Sequence, residues 1–285
     1  PMMVLSGAMF PFDKLNRIIG NVDRVPLIAE LMPTRWTYEA LIVTQYKDNR
    51  YSKVPYSRDG LTYFQIQMGI SQAEFNKVHR LKALNDALQI TLSEYISRGR
   101  SDGINSERLL KNQPPLLTKI NLLRNELERI AQYQKIQPFI YLDRLTPEEF
   151  DIEVADSLVR YFDRLYKYYS KFSNNLSDLK DRFYNANSET LKKLEEEYFN
   201  YKLQELVTKP YERKKVLEYN NILVQNTDPI YLEPYNRGPF AFRTHFYSPS
   251  KYIFGQKTDT FIFNIILVLL STFLLYAMLY FELLG

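Results

Sequence analysis

Arg35 and Glu39 stand one helical turn apart around Trp36, the only tryptophan of the chain. Opposite charges four residues apart on a helix can pair. The chemistry that this spacing allows is the pairing of opposite charges. The pattern fits an ordinary core helix as well as a helix lodged at a membrane surface.

The other reactive residue types do not form a recognisable site. His79 and His245 are the only histidines, they lie far apart, and the chain has no cysteine, so no metal-ligand spacing occurs. Acidic pairs such as Glu148 and Glu149 begin a predicted helix, where they oppose the helix dipole. Phosphate-binding, nucleophile-elbow and dinucleotide motifs are absent. The sequence therefore predicts no catalytic residue, no metal ligand and no cofactor site within this chain.

Composition narrows the class of protein. The 285 residues are 45% hydrophobic and 25% charged, which is close to average globular usage and favours neither disorder nor a multi-pass membrane protein. The net charge of +4 is scattered among acidic residues, so nucleic acid is not an expected partner.

A run of 22 uncharged residues, Thr260 to Phe281, is bounded by Asp259 and Glu282. At about 1.5 Å per residue it would cross a hydrocarbon layer of roughly 30 Å. We predict a transmembrane helix within residues 258–285; the alternative is a fully buried core helix. Aromatic and basic residues flank the run, as is typical of membrane-interface anchors. The predicted anchors are Arg243, Phe246, Tyr247, Lys251, Tyr252, Tyr276 and Tyr280.

The middle of the chain has helical periodicity. Apolar residues recur at steps of three and four in four segments, of which the first begins at a capping box at Ser71 and the third at Thr146. We predict a mainly α fold, with an antiparallel helical bundle or coiled-coil hairpin over residues 71–208. The alternating run LTYFQIQM predicts short strands in a connector over residues 51–70. Five prolines predict an extended return loop over residues 209–257.

The apolar opening, residues 1–12, is too short to cross a bilayer alone. It is either the end of a preceding transmembrane helix or a hydrophobic terminus packed on the rest of the protein. Residues 13–50 would then be a re-entrant segment at membrane level.

The stretch MPTRWTYEALIVTQYKDN (residues 32–49) resembles the segment after the fifth transmembrane helix in ATP-binding-cassette exporters of the G, or White, type. Residues 6–16 and 243–264 are similar to the outer end of that fifth helix and to the entry into the sixth. The resemblance covers roughly residues 1–50 and 240–285, whereas the family's outer loop is usually much shorter than residues 51–239. The matching residues in the motif helix are Arg35, Trp36, Tyr38, Glu39, Ala40, Leu41, Gln45 and Tyr46.

The resemblance implies a parent half-transporter that works as a homodimer or heterodimer. Its ATP and Mg would bind a separate nucleotide-binding domain, so ATPase activity is expected only outside this chain. The chain would lie in membrane lipid of the bacterial inner membrane. Its helical domain would project into the periplasm, where it docks a protein partner or gates substrate exit.

The charges on either side of the terminal span favour a different class of function. Lys251 and Lys257 precede the terminal span and only Glu282 follows it, which by the positive-inside tendency favours a cytoplasmic helical domain. The alternative is therefore a tail-anchored cytoplasmic coiled-coil tether or scaffold. It leaves the opening residues and the Trp36 helix unexplained.

Overall fold

The computed structural model describes residues 6–7, 12, 24–99, 114–134, 136–235, 238 and 241–282. Its described part is mainly helical, with a few short strands, and confirms the predicted α class at that level. The chain divides into two compact units. Unit 1 comprises Pro1–Gly69, Leu176–Arg213 and Asn226–Gly285, and unit 2 comprises Ile70–Asn175 and Lys214–Gln225.

Helices predominate among the described residues, and the strands all lie after residue 215. The helices are α1 (Leu27–Glu30), α2 (Pro33–Lys47), α3 (Tyr63–Phe75), a π-helix (Asn76–Arg80), α4 (Leu81–Gly99), α5 (Pro114–Gln134), α6 (Ile152–Ala186), α7 (Ser188–Tyr198), α8 (Tyr201–Thr208) and α9 (Thr260–Tyr280). Two antiparallel hairpins pair β1 (Val216–Tyr219) with β2 (Ile222–Gln225) and β3 (Ser250–Ile253) with β4 (Gln256–Asp259). A 3-10 turn covers Pro229–Tyr231.

The strand prediction for LTYFQIQM is wrong, because these residues form the start of α3. Thr62 and Gln65 make a capping box. The backbone N–H of Gln65 donates to Thr62 Oγ1 at 3.3 Å, and the backbone N–H of Thr62 donates to Gln65 Oε1 at 2.9 Å. The helix therefore begins eight residues before Ser71, and the predicted box at Ser71 lies inside it. The period of two over so short a run did not distinguish a strand from a helix.

The long helix α6 begins later than the sequence predicts. Asp151 Oδ1 accepts the Val154 amide at 2.8 Å and starts the helix. Thr146, the predicted cap, only closes a turn by accepting the Glu149 amide at 3.2 Å. The predicted fourth helix is divided between α7 and α8 at Asn200, whose side chain accepts the Leu203 amide at 3.1 Å and caps α8.

Unit 2 has its own hydrophobic core, to which α4, α5 and α6 contribute leucine and isoleucine side chains that are buried completely or almost so. Among them are Leu84, Leu88, Ile120, Leu123, Leu127, Leu158 and Leu165. The hairpin β1–β2 belongs to the same unit and contributes Leu223 to this core. Its two-residue turn, Asn220–Asn221, has positive φ at both positions, as a type I′ turn requires. The predicted extended loop over residues 209–257 thus contains the β1–β2 hairpin and most of the β3–β4 hairpin, which ends at Asp259.

A buried carboxylate joins α5 to this hairpin within unit 2. Glu126 is fully buried; its Oε1 accepts the Leu223 amide at 3.0 Å and a bond from Arg129, and its Oε2 lies 3.4 Å from Arg80 Nε. Arg80 is the last residue of the π-helix, whose wider turn rotates the following side chains relative to a regular α-helix.

Candidate functional site

The motif helix α2 lies along the apolar helix α9 in unit 1, and the two run in opposite directions. Lys47, the last residue of α2, pairs with Asp259 immediately before α9, whereas the Trp36 ring near the start of α2 contacts Phe263 at 5.7 Å. Pro33 occupies the first position of α2, where its fixed φ suits a helix start. Asp259 Oδ1 accepts the Phe261 amide at 2.8 Å and caps α9.

Glu39 lies between the two helices and is fully buried. Its Oε2 accepts the Asn264 side-chain amide at 2.9 Å and lies 3.1 Å from Lys251 Nζ, which also donates to Oε1 at 3.3 Å. Arg35 Nη1 lies 3.4 Å from the same Oε2. One carboxylate therefore faces two cations and one amide. We call Arg35, Glu39, Lys251 and Asn264 the enclosed cluster.

The remaining contacts of the cluster are also internal. The Arg35 guanidinium lies 3.7 Å from the centre of the Trp36 ring, and its Nε and Nη1 make no hydrogen bond to the described residues. Lys251 Nζ donates to Thr244 Oγ1 at 3.0 Å and lies 5.4 Å from the Trp36 ring. Asn264 donates to the Trp36 carbonyl at 3.0 Å. The indole face thus partly replaces the hydration that both cations have lost.

Burial and charge shift the pKa values of the cluster. Burial opposes ionisation of Glu39, but Arg35, Lys251 and the Asn264 amide outweigh it and hold the Glu39 pKa below its usual value. Burial lowers the pKa of Lys251 to about 8 against the attraction of Glu39, and also lowers the pKa of Arg35. The cluster therefore keeps an ionised carboxylate and holds one lysine whose proton is weakly retained.

A second ion pair, next to the cluster, joins α1 to the segment that precedes β3. Arg243 Nε donates to Glu30 Oε2 at 3.0 Å and Arg243 Nη2 donates to the Val25 carbonyl at 3.2 Å. Trp36 Nε1 donates to the Glu30 carbonyl at 2.8 Å. These contacts fasten α1 and the start of α2 to the segment that precedes β3.

The structure brings together several of the residues predicted separately, and corrects two of them. Lys251 and Tyr247 are enclosed by the protein, so neither can anchor the chain at lipid headgroups as predicted. Phe246 is partly buried and stacks on Tyr38, and Arg243 is partly buried in its ion pair. Residues 1–12, predicted as the end of a preceding helix, fall mostly outside the described residues.

The other predicted residues differ in their exposure. Tyr276 and Tyr280 are exposed at the far end of α9 and stack on one another, as membrane-interface residues would. Tyr252 is partly exposed. In the motif helix, Ala40 is buried, whereas Leu41 is exposed, so Leu41 takes no part in the cluster.

Exposed apolar side chains occur on α1 as well as on α9. Because α2 and α9 run in opposite directions, the start of α2 points along α9 toward its middle. Leu27, Ile28 and Leu31 lie shortly before Pro33 in the chain and are exposed; the exposed fraction of Leu31 is 80%. The apolar surface of unit 1 therefore includes the α1–α2 turn as well as α9.

Sequence reasoning missed Asn264 and Thr244. Asn264 is the one amide side chain within the uncharged run Thr260–Phe281, and a polar residue so placed is a signal that the sequence carries. Its partner could not be read from the sequence, because Glu39 is 225 residues away. Thr244 carries no comparable signal.

The described residues contain no group of three or more metal-binding side chains. Comparison with protein-family models, curated proteins and solved structures finds no match for this chain.

Proposed function

We propose that this chain is part of the membrane domain of an ATP-driven exporter, in which α9 crosses the membrane and α1–α2 re-enters it from the outer side. The observation that carries this proposal is the packing of the motif helix on α9 through the enclosed cluster. Charges that enter a membrane must be paired and shielded from lipid. All four polar members of the cluster are fully buried, although Asn264 lies a full turn inside the apolar helix.

The distribution of exposed apolar residues supports the membrane placement. The helix α9 is long and apolar enough to span a membrane, and most of its apolar side chains face outward. Burial in a protein core, the alternative for such a helix, would leave few of them accessible. Leu27, Ile28 and Leu31 of α1 are also exposed and would face lipid in a re-entrant α1–α2 segment.

For unit 2 we propose an antiparallel helical bundle on the outer, periplasmic side of a bacterial inner membrane, where it docks a protein partner or gates substrate exit. Its separate hydrophobic core supports an extramembrane domain, since its buried residues are enclosed by its own helices. ATP and Mg would bind another domain or subunit of a dimeric half-transporter, and lipid would surround α9.

The first test concerns the parent protein. We expect an antibody against residues 71–175 to capture a protein whose upstream peptides, or whose tightly bound partner, contain a phosphate-binding loop and hydrolyse ATP. A captured protein that lacks both a nucleotide-binding domain and an ATPase partner would contradict the exporter proposal. That result would favour the tail-anchored tether.

The second test concerns the side of the membrane. Because the chain has no cysteine, Asn174→Cys would place a single thiol at an exposed position of α6. We expect a membrane-impermeant maleimide to label it in cells whose outer membrane alone has been opened. Ser173→Cys is the matched control, because Ser173 is buried and donates to Glu74 at 2.7 Å, so it should label slowly on either side. Labelling of Asn174→Cys only after lysis would place unit 2 in the cytoplasm.

A charge placed in the middle of α9 should oppose membrane insertion. Leu270 is exposed at the centre of the helix, so the Leu270→Lys ammonium would face lipid; we expect insertion to be less favourable by about 2.5 to 3.5 kcal/mol. The measurement is the fraction of chain that resists alkaline extraction. Tyr280→Lys, at the far end, is the control and should insert normally because its ammonium can reach the headgroups. Equal extraction of both variants would argue against a spanning α9.

A further inference from the structure

We propose that Lys251 is a proton-exchange site, at which one proton is bound or released inside the enclosed cluster while the protein stays folded. The cluster holds two cations and one carboxylate, all three fully buried. With Lys251 protonated it therefore carries one uncompensated positive charge away from water, which is costly. Loss of that proton to solvent leaves a neutral lysine amine and a balanced Arg35–Glu39 pair.

The described residues around the cluster do not supply the missing negative charge. Of the described residues, those facing the cluster are Glu30 from α1, Arg35 and Glu39 from α2, and Arg243 from the segment before β3. Glu30 is already paired with Arg243, and α9 contributes only the neutral Asn264. The five charges, Lys251 included, sum to +1, and Arg35 cannot be the group that neutralises because a guanidinium keeps its proton.

The proton on Lys251 also affects how β3 is joined to the motif helix. Protonated Lys251 donates to Glu39 and Thr244, and so holds β3 to the motif helix. A neutral amine has two hydrogens and a much weaker attraction to the carboxylate, which leaves Glu39 to Arg35 and Asn264. Proton exchange would therefore loosen β3, which leads through β4 into α9, while the α2–α9 contact remains.

The sign of the pH dependence follows from the lowered pKa. Lys251 titrates near pH 8 in the folded protein and near 10.5 when unfolded. Between these values the unfolded chain binds the additional proton, so the free energy of unfolding should rise with pH across this window. Below pH 8 both states are protonated and the lysine adds no further slope.

The fluorescence of Trp36 should report the protonation of Lys251, because Trp36 is the only tryptophan and its ring lies 5.4 Å from Lys251 Nζ. We expect the Trp36 emission maximum of the 285-residue chain in lipid nanodiscs to shift in a single-proton transition centred near pH 8. An emission maximum that stays constant from about pH 6.5 to 9.5 would overturn the proposal; this window includes the folded-state midpoint and lies below the usual tyrosine pKa.

Three variants assign the transition. Lys251→Met should abolish it, whereas Lys257→Met, which removes an exposed lysine on the adjoining strand, should retain it. Glu39→Gln should lower the midpoint by about one pH unit or more, because the attraction that favours the ammonium is lost. A transition that persists in Lys251→Met would assign the proton to another group. The proposal does not rest on the exporter function, since the titration is read without ATP, substrate or partner.

Discussion

Replacing Glu39 with glutamine is expected to lower the free energy of unfolding of unit 1 by about 3 to 5 kcal/mol, because it leaves Arg35 and Lys251 buried without their anion. Glutamine preserves the shape and can still accept from Asn264, so the loss measures charge compensation and not a cavity. The measurement is hydrogen exchange of the α2 amides in nanodiscs, where the variant should exchange far faster.

Glu233→Gln is the matched control for Glu39→Gln. Glu233 forms an ion pair with Lys257, but both side chains are about half exposed, so the change should stay within about 0.5 kcal/mol. Equal protection of α2 in wild type and Glu39→Gln would show that the cluster does not hold the two helices together. Restoration of protection in Lys251→Met/Glu39→Gln would identify the buried excess charge as the cause.

Lowering the pH should destabilise unit 1 in the same way as Glu39→Gln. Since the pKa of Glu39 is lower in the folded protein than in the unfolded chain, its contribution to stability is present above about pH 4.5 and is lost as the pH falls through the folded-state value. Faster α2 exchange is therefore expected in wild type at low pH, and Glu39→Gln should lack this part of the pH dependence.

Replacing Glu126 with glutamine is expected to destabilise unit 2 by a similar amount, about 3 to 5 kcal/mol. Glu126 is the buried carboxylate that faces Arg80 and Arg129 and accepts the Leu223 amide. Its replacement would leave Arg80 buried beside a neutral amide and weaken the attachment of β2 to α5. The measurement is hydrogen exchange at the Leu223 amide and along α5.

The control lies on the same helix. Glu128 pairs with Arg124 at 3.2 Å, and both side chains are about half exposed, so Glu128→Gln should change stability by less than about 0.5 kcal/mol. Unchanged protection of Leu223 in Glu126→Gln would contradict the role given to the buried carboxylate. A loss confined to β1 and β2 would instead show that Glu126 anchors the hairpin without stabilising the helices.

The local sequence pattern predicts most of the helices. The periodic apolar residues of α5 and α6 predict those helices, since a stripe that repeats every 3.6 residues can be buried only on one helical face. The uncharged run from Thr260 likewise predicts α9, which begins at that residue. The turn NANS predicts the end of α6, and the helix ends at Ala186.

Local patterns failed where several starts were equally plausible. Thr62, Ser71 and Thr146 all have the sequence of a capping residue, but only Thr62 begins a helix, because the buried Phe64 and Ile66 extend the apolar face of α3 upstream. The β1–β2 and β3–β4 hairpins were missed because each strand has only four residues and gives a weak alternating signal.

For the candidate site, the sequence by itself determined the pair Arg35 and Glu39, because residues four apart on a helix are neighbours whatever surrounds them. The tertiary structure alone decided that Lys251 and Asn264 join them, since these residues come from a strand and a helix more than 200 positions away. The same long-range packing turns Lys251 from a predicted headgroup anchor into a buried cation, because enclosure depends on neighbours that no local pattern specifies.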